Sequence, residues 1–404
     1  MTDVTDGTAG VSGDRNVDPD RIDSARNLDD LDPNGVLRTL ASAGAQLREA
    51  AALAAEADLA SLADGGRPRA VVVAAVGTAA RTGDILQTVA GPHCPVPVLA
   101  HRSAGVPGWV SAADVVIAVS ASGRSPEALA AAEAGARRGA RLVAIGAPDS
   151  PLQAVAERAR APYIPVPRRA PARLSLWALT VPVLLAGRAF GMVRVAEADI
   201  AETAARLDDD AERCKPGSDS FVNPAKELAL GLAGSIPVVW GGTPLAGIAA
   251  RRFGDMLAAN ARYPVVSGEL GEVGRGRVGL LDGVFGSLAE SQHDIFADPV
   301  AGDGQDNTRL RIVLMRDDGL DGDDAMPLPD TRRADAVAEV VDGRGIRRDT
   351  FVAEGGCALE RLASLIAVPD FASVYLALAH GLDPRSVPAV SEMKDLINRL
   401  GEGA

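Results

Sequence analysis

Asp114-Val115-Val116-Ile117-Ala118-Val119-Ser120-Ala121-Ser122-Gly123-Arg124-Ser125-Pro126-Glu127 is the stretch that decides the fold. Residues 115–119 form a short, continuous apolar run rich in β-branched side chains, the pattern of a strand buried on both faces. A tight polar turn follows, and alanine-rich sequence at helical spacing then runs to about residue 139. Strand, polar loop and helix in that order are half of a parallel βαβ unit.

Moving outward, the same grammar recurs. Apolar runs at 70–76, 95–99, 141–146 and 163–166 read as further strands, with helical periodicity at 36–53 and 174–186. After Lys215-Pro216-Gly217-Ser218 it starts again, with a helix at 223–232, a strand at 236–240 ending in Gly241-Gly242-Thr243, and a helix at 245–260. A strand at 309–315, an acidic loop at 317–329 and helices at 332–340, 351–366, 371–381 and 391–400 complete the pattern. Strands alternating with helices imply parallel sheets covered on both faces. The expected organisation is a disordered acidic arm over residues 1–34, a first domain at 35–214 and a second at 215–404.

Composition narrows the class. The 404 residues are 47% apolar and 24% charged, as in ordinary globular proteins, and the formal net charge of −13 argues against docking on nucleic acid or anionic lipid. Aromatic residues are 3% of the chain, too few for base-stacking platforms. Cys94, Cys214 and Cys357 are far apart in sequence, so neither a disulfide framework nor a thiolate metal site is expected, and no metal or cofactor is called for. No basic-apolar leader and no uninterrupted apolar run of membrane-spanning length is read, so the expectation is a cytoplasmic protein without a membrane partner.

The loop 120–125 carries the chemistry. Three hydroxyls, Ser120, Ser122 and Ser125, meet at a helix N-terminus, and Gly123 allows close backbone approach, which suits a phosphate monoester. An N-cap with ordinary turn serines is the alternative reading. Gly274, Gly276 and Gly279 spell Gly-x-Gly-x-x-Gly without a preceding strand and give a nucleotide no anchor.

In this setting Ser120, Ser122, Gly123 and Ser125 resemble the phosphate loop of SIS domains, the sugar-isomerase fold. The stretch Phe371-Ala372-Ser373-Val374-Tyr375-Leu376-Ala377-Leu378, with Gly381-Leu382-Asp383-Pro384, Val387 and Lys394, resembles the tail of the bifunctional phosphoglucose/phosphomannose isomerases. Arg311-Ile312-Val313-Leu314-Met315-Arg316-Asp317 is similar to a late strand of that family. The resemblance covers roughly residues 36–400. It implies an α/β protein of two SIS-type (flavodoxin-like) doubly wound parallel-sheet domains, a phosphorylated hexose as ligand, a homodimer, and aldose–ketose isomerisation through a cis-enediol.

Residue by residue, the resemblance places Gly77, Gly83 and Asp84 on the family's first glycine-rich loop, with Ala79 at its sugar-contacting serine and Thr78 as the nearest hydroxyl. Arg173, in Ala172-Arg173-Leu174-Ser175-Leu176, matches an anion-stabilising arginine, and Lys394 matches a lysine near the C-terminus. Ala259 stands where the family has its proton-shuttling glutamate, and Arg275 where it has its ring-opening histidine. A methyl group takes no proton, and loss of a general base slows such transfer by roughly 10²–10⁴-fold. Glu269 and Glu272 are the carboxylates of the same loop and the candidate replacements, with solvated loop acids as their bland reading. His293 beside Asp294 is a candidate acid–base couple, more simply read as surface, and His380 reads as the cap of a helix end. Three functional readings stay open: a hexose 6-phosphate isomerase, a catalytically silent sugar-phosphate sensor, and a scaffold whose cleft binds nothing.

Overall fold

The computed structural model describes residues 17, 19–23, 30–289, 308–319 and 328–402. It divides into two compact units. One comprises residues 39–210 and 354–364, and the other residues 1–38, 211–353 and 365–404.

The first unit carries a five-stranded sheet of β1 (Val71–Ala74), β2 (Val98–His101), β3 (Val115–Ser120), β4 (Arg141–Gly146) and β5 (Tyr163–Pro165), in the order β2-β1-β3-β4-β5. Every neighbouring pair is parallel. The chain starts in the interior, steps to one edge, then returns past its start, so strand order reverses between β1 and β3. In doubly wound sheets that reversal opens a crevice beyond the carboxyl ends of the two strands, where ligands bind. β1 and β3 are buried along their whole length. Val72, Ala74, Val116, Ala118, Leu142 and Ala144 face one helical layer, packing on Ala131, Ala132, Leu152, Val155 and Ala156. Small residues bring the helix Pro126–Arg137 close: a Cβ on Gly135 would lie 2.9 Å from Val116 Cγ2. Truncating a fully buried strand side chain such as Ile117 to alanine costs about 2–5 kcal/mol.

The second unit repeats the winding with four strands, β6 (Ile236–Gly241), β7 (Val266–Glu269), β8 (Leu310–Arg316) and β9 (Arg348–Val352), in the order β7-β6-β8-β9 and again parallel throughout. Val238, Trp240, Ile312 and Leu314 pack on Leu270, Val273, Ala334, Val337 and Val341. Both sheets therefore have the parallel α/β architecture expected from the sequence.

Three features differ from expectation. The helix expected at 351–366 begins only at Ala358, its first two residues closing the strand β9, and it runs on as one helix, Ala358–Ala379, which absorbs the helix expected at 371–381. Pro369 lies inside it without ending it, because neighbouring elements bury nearly the whole helix and packing outweighs the lost hydrogen bond. Among the described residues this helix alone is long and apolar enough to cross a membrane, and 94% of its most apolar window is buried in protein. β7 went unrecognised because Val-Ser-Gly-Glu lacks an apolar run. Finally, part of the arm expected to be disordered is built into the four-stranded unit. Asp20–Asp23 forms a helical turn, and Asp23 accepts hydrogen bonds from Ser220 N and Oγ at 2.9 and 2.8 Å.

Candidate functional site

The loop after β3 lies at the strand-order reversal of the five-stranded sheet. Ser120 is the last residue of β3 and is buried. Its Oγ accepts from Ser125 N at 3.3 Å, and its carbonyl accepts from Gly123 N at 2.9 Å, which closes the turn. Gly123 has φ +64°, a region open to glycine, and a Cβ there would fall 2.1 Å from Ser150 Oγ. Ser150 is held from behind by the Tyr163 hydroxyl at 3.2 Å, and Tyr163 also donates to Ala147 O. Burial pushes the Tyr163 phenol pKa up, so it stays protonated and remains a donor.

Ser122 Oγ accepts from Arg124 N at 3.2 Å, and Ser125 Oγ donates to Glu127 at 2.8 Å. Ser125 occupies the N-cap position of the helix Pro126–Arg137, yet its side chain caps no amide. The first-turn amides are thus left for another acceptor, and the helix dipole favours an anion there. The N-cap alternative for this serine is not what the geometry shows.

β1 ends in a single turn, Gly77–Ala79, with Gly77 at φ +62° and open space around its Cα. Ala79 is buried whereas Thr78 is half-exposed, so a hydroxyl is presented one residue before the position that the resemblance assigns to a serine. The short turn Ala172–Leu174, which carries Arg173, packs against Gly77–Ala79. Gly77, Thr78, Ser120, Ser122, Gly123, Ser125 and Arg173 accordingly belong to one unit and to elements that meet at its sheet reversal.

A charge cluster follows on the same elements, centred on Asp84, whose arginine partners the sequence reading missed. Asp84 accepts from Arg81 at 3.2 Å and from Arg102, just beyond β2, at 2.6 Å. Gly83 lets the helix Ala80–Ala90 lie on β2, since a Cβ there would be 3.1 Å from the methyl of Ala100. Arg124 adds an exposed guanidinium in the serine loop itself. The signal for Arg102 and Arg124 was their position shortly after the ends of β2 and β3, which matters only once strand order is known; Arg81, inside the helix Ala80–Ala90, had none.

In the four-stranded unit the corresponding turn, Gly241-Gly242-Thr243, is closed. Thr243 Oγ1 caps Ala246 N at 3.2 Å, and a Cβ on Gly241 would sit 2.3 Å from Gly247 N. Glu269 ends β7 and is ion-paired to Arg251. Gly247 makes room for it, a Cβ there falling 2.3 Å from Glu269 Cγ. Glu272 is exposed in the short helix Leu270–Val273, Arg275 is exposed, and Lys394 is exposed on the helix Pro388–Glu402. Ala259 lies half-buried in a wide π-helical turn, Leu257–Ala261, whose neighbouring Asn260 donates to Ser373 Oγ at 2.9 Å. His380 follows the long helix and shares a 2.7 Å hydrogen bond with the Tyr263 hydroxyl. His293 and Asp294, and the acidic loop from Asp321 to Asp324, lie outside the described residues.

Among the described residues one group of three donors, Asp199, Cys357 and Glu360, brings its ligand atoms within 4.8 Å of one another. Each acid already serves the backbone, Asp199 accepting from Ala196 N and Glu360 from Gly356 N, both at 2.7 Å. Burial pushes the Cys357 thiol up to about 11.

Comparison with known proteins agrees with this geometry. Residues 221–397 match the family model of the bacterial phospho-glucose isomerase C-terminal SIS domain. A bifunctional phosphoglucose/phosphomannose isomerase of Caldicellulosiruptor bescii is 26% identical over 82% of this chain and 89% of its own length. One from Aquifex aeolicus is 24% identical over 48% of this chain and 52% of its own. Among solved structures, a hypothetical protein of Thermus thermophilus superposes with a TM-score of 0.65 at 15% identity, covering 90% of each chain. The C-terminal domain of a glucosamine-fructose-6-phosphate aminotransferase from Francisella tularensis gives 0.56 at 14% identity, over 87% of this chain and 98% of that one. With two parallel α/β sheets, a serine loop at a strand-order reversal and a SIS-domain match over residues 221–397, the chain is similar to SIS-domain proteins and, along most of its length, to a bifunctional phosphoglucose/phosphomannose isomerase.

Proposed function

We propose that this chain binds a hexose 6-phosphate at the loop 120–125 and interconverts it as an aldose–ketose isomerase. The observation that carries the reading is the uncapped helix N-terminus behind Ser120, Ser122 and Ser125, braced through Gly123 by Ser150. The phosphate takes the hydroxyls and first-turn amides, Gly77 and Thr78 border the sugar, and Arg173 stabilises the negative charge that develops on the enediol. Glu269 and Glu272 are the carboxylates proposed as the base, and Lys394 as a positioning lysine, on the sequence reading alone. The roles of Arg173 and Lys394 and a homodimeric assembly follow from the resemblance to the isomerase family, whereas Glu269 and Glu272 are proposed as carboxylates near the lost glutamate position and a cytoplasmic location rests on cysteine usage and composition.

A second reading, a catalytically silent sugar-phosphate sensor, is favoured by Ala259 and Arg275 at the family's catalytic positions and by the engagement of Glu269 with Arg251. Proton NMR of the protein with fructose 6-phosphate in D₂O separates the two. Deuterium entering at C1, with glucose or mannose 6-phosphate appearing and both lost in Glu269→Gln or Glu272→Gln, supports the isomerase. Line broadening of the ligand without exchange at high protein concentration supports the sensor. Absence of both, unchanged by Ser122→Phe, refutes ligand binding altogether.

A further inference from the structure

Around the amino-terminal ends of β6, β8 and β9, the edge opposite Gly242 and Glu269, lies a cavity of about 460 Å³. Four of its lining residues are arginines, Arg309, Arg311, Arg344 and Arg347, and none of the lining residues is acidic. Carboxylates from outside the wall hold Arg311 and Arg344, and Arg309 is engaged as well. Asp349 grips Arg311 with two bonds of 2.7 and 2.9 Å, and Asp282 meets Arg344 at 2.7 Å.

Glycine shapes the wall. A Cβ on Gly231 would lie 2.5 Å from Arg311 Nη2, so only a residue without a side chain leaves that guanidinium in place. Helix carboxyl ends attract cations, and Arg344 serves one by donating to Val340 O at 3.2 Å. That role does not extend to Arg347, whose side chain is exposed at the cavity wall. A second lobe of about 440 Å³ shares Gly234, Ser235 and Phe285 with the first and is bordered by Tyr263 and His380. Phe285 is 48% exposed, an aromatic face without a covering layer among the described residues.

We infer that the two lobes together form a binding site for a small molecule carrying a diphosphate and a flat ring, with the diphosphate on the arginines and the ring against Phe285. Planar guanidinium forks match phosphate oxygens in pairs, and the lobes have the size of ordinary small-molecule sites. The site uses none of the residues proposed for the sugar phosphate, so a ligand here would act as a regulator and not as the substrate.

The test is isothermal titration calorimetry of the full chain with ADP, pyrophosphate and adenosine, each repeated in Ser122→Phe to remove the serine loop as a phosphate site. ADP is expected to bind more tightly than pyrophosphate, and adenosine at least tenfold more weakly than ADP. Arg347→Ala should weaken both phosphates about tenfold, the effect of one charged hydrogen bond. Phe285→Ala should bring ADP down to the affinity of pyrophosphate. Arg347 is exposed, so its variant should keep the wild-type melting temperature, which separates lost binding from lost folding. No heat with ADP or pyrophosphate at millimolar concentration overturns the inference. Binding that persists in Arg347→Ala but vanishes in Ser122→Phe overturns it too. Failure of fructose 6-phosphate to bind would leave these titrations unaffected, so the two proposals fail separately.

Discussion

Substituting Gly123 by alanine places a methyl group 2.1 Å from Ser150 Oγ and 2.3 Å from Ser150 Cβ, in a residue held at φ +64°. The left-handed conformation alone costs a non-glycine residue about 1–2 kcal/mol. Ser150 must also move, and it is no idle neighbour. Its Oγ accepts from Gln153 N at 3.4 Å as the N-cap of the helix Pro151–Ala159, and it shares a hydrogen bond with Tyr163. Losing such a cap costs about 1 kcal/mol, so Gly123→Ala should destabilise the protein by about 2–3 kcal/mol in all. For a unit of this size that lowers the melting temperature by about 4–12 °C. Because Gly123 N and O both anchor the turn, to Ser120 and Leu152, the serine hydroxyls shift with it. A displacement of about 1 Å is enough to weaken a positioned contact severely, up to about a hundredfold in a reacting site. The assay pairs differential scanning calorimetry with titration of fructose 6-phosphate. Adding Ser150→Gly to Gly123→Ala should relieve the collision and recover part of the affinity while the φ strain remains. Wild-type affinity and melting temperature in Gly123→Ala would refute the claim that this glycine shapes a phosphate loop.

Other expectations follow from the same geometry. Ser122→Phe fills the loop and should abolish the thermal stabilisation produced by fructose 6-phosphate, with little change in the unliganded melting temperature. In the four-stranded unit, Arg252 and Asp370 form a buried pair at 2.8 Å, and burial raises the Asp370 pKa despite the guanidinium beside it. Asp370→Ala removes the buried counter-charge of the arginine and should cost about 3–5 kcal/mol in urea unfolding. The Cys357 thiol, raised from 9.0 to about 11, binds its proton more tightly in the folded chain. Its stabilising effect is complete below about pH 9 and is lost as the pH rises towards 11. The difference between wild type and Cys357→Ser in melting temperature should therefore shrink or change sign across that window, and a flat difference would contradict it.

Most of the winding was legible because buried parallel strands announce themselves. Residues 70–76, 114–120, 141–146, 236–240 and 309–315 are apolar runs bounded by turns, and each contains a strand. β7 and β9 were not legible. Val-Ser-Gly-Glu and Arg-Asp-Thr-Phe-Val are half-exposed edge strands whose identity comes from pairing with β6 and β8. The turn at 120–125 could be read directly, since an apolar run, a polar glycine-containing turn and an alanine-rich helix follow one another in sequence. Arg81, Arg102 and Arg124 could not, because isolated arginines carry no local signature.

The sequence alone was sufficient for the α/β class and for the strand, turn and helix around the serine loop, which rest on local pattern, while Ala79, Ala259 and Arg275 stand out only against the family that the chain resembles. Tertiary structure decided the strand order, and so which loops share a crevice: β1 and β3 are adjacent through hydrogen bonds between residues far apart in the chain, Val71 facing Val115. It also decided that Ser125 leaves the helix amides uncapped while Thr243 closes the equivalent turn. Two hydroxyls at similar helix starts read alike in sequence, and only the surrounding packing sets which one is free to meet a ligand.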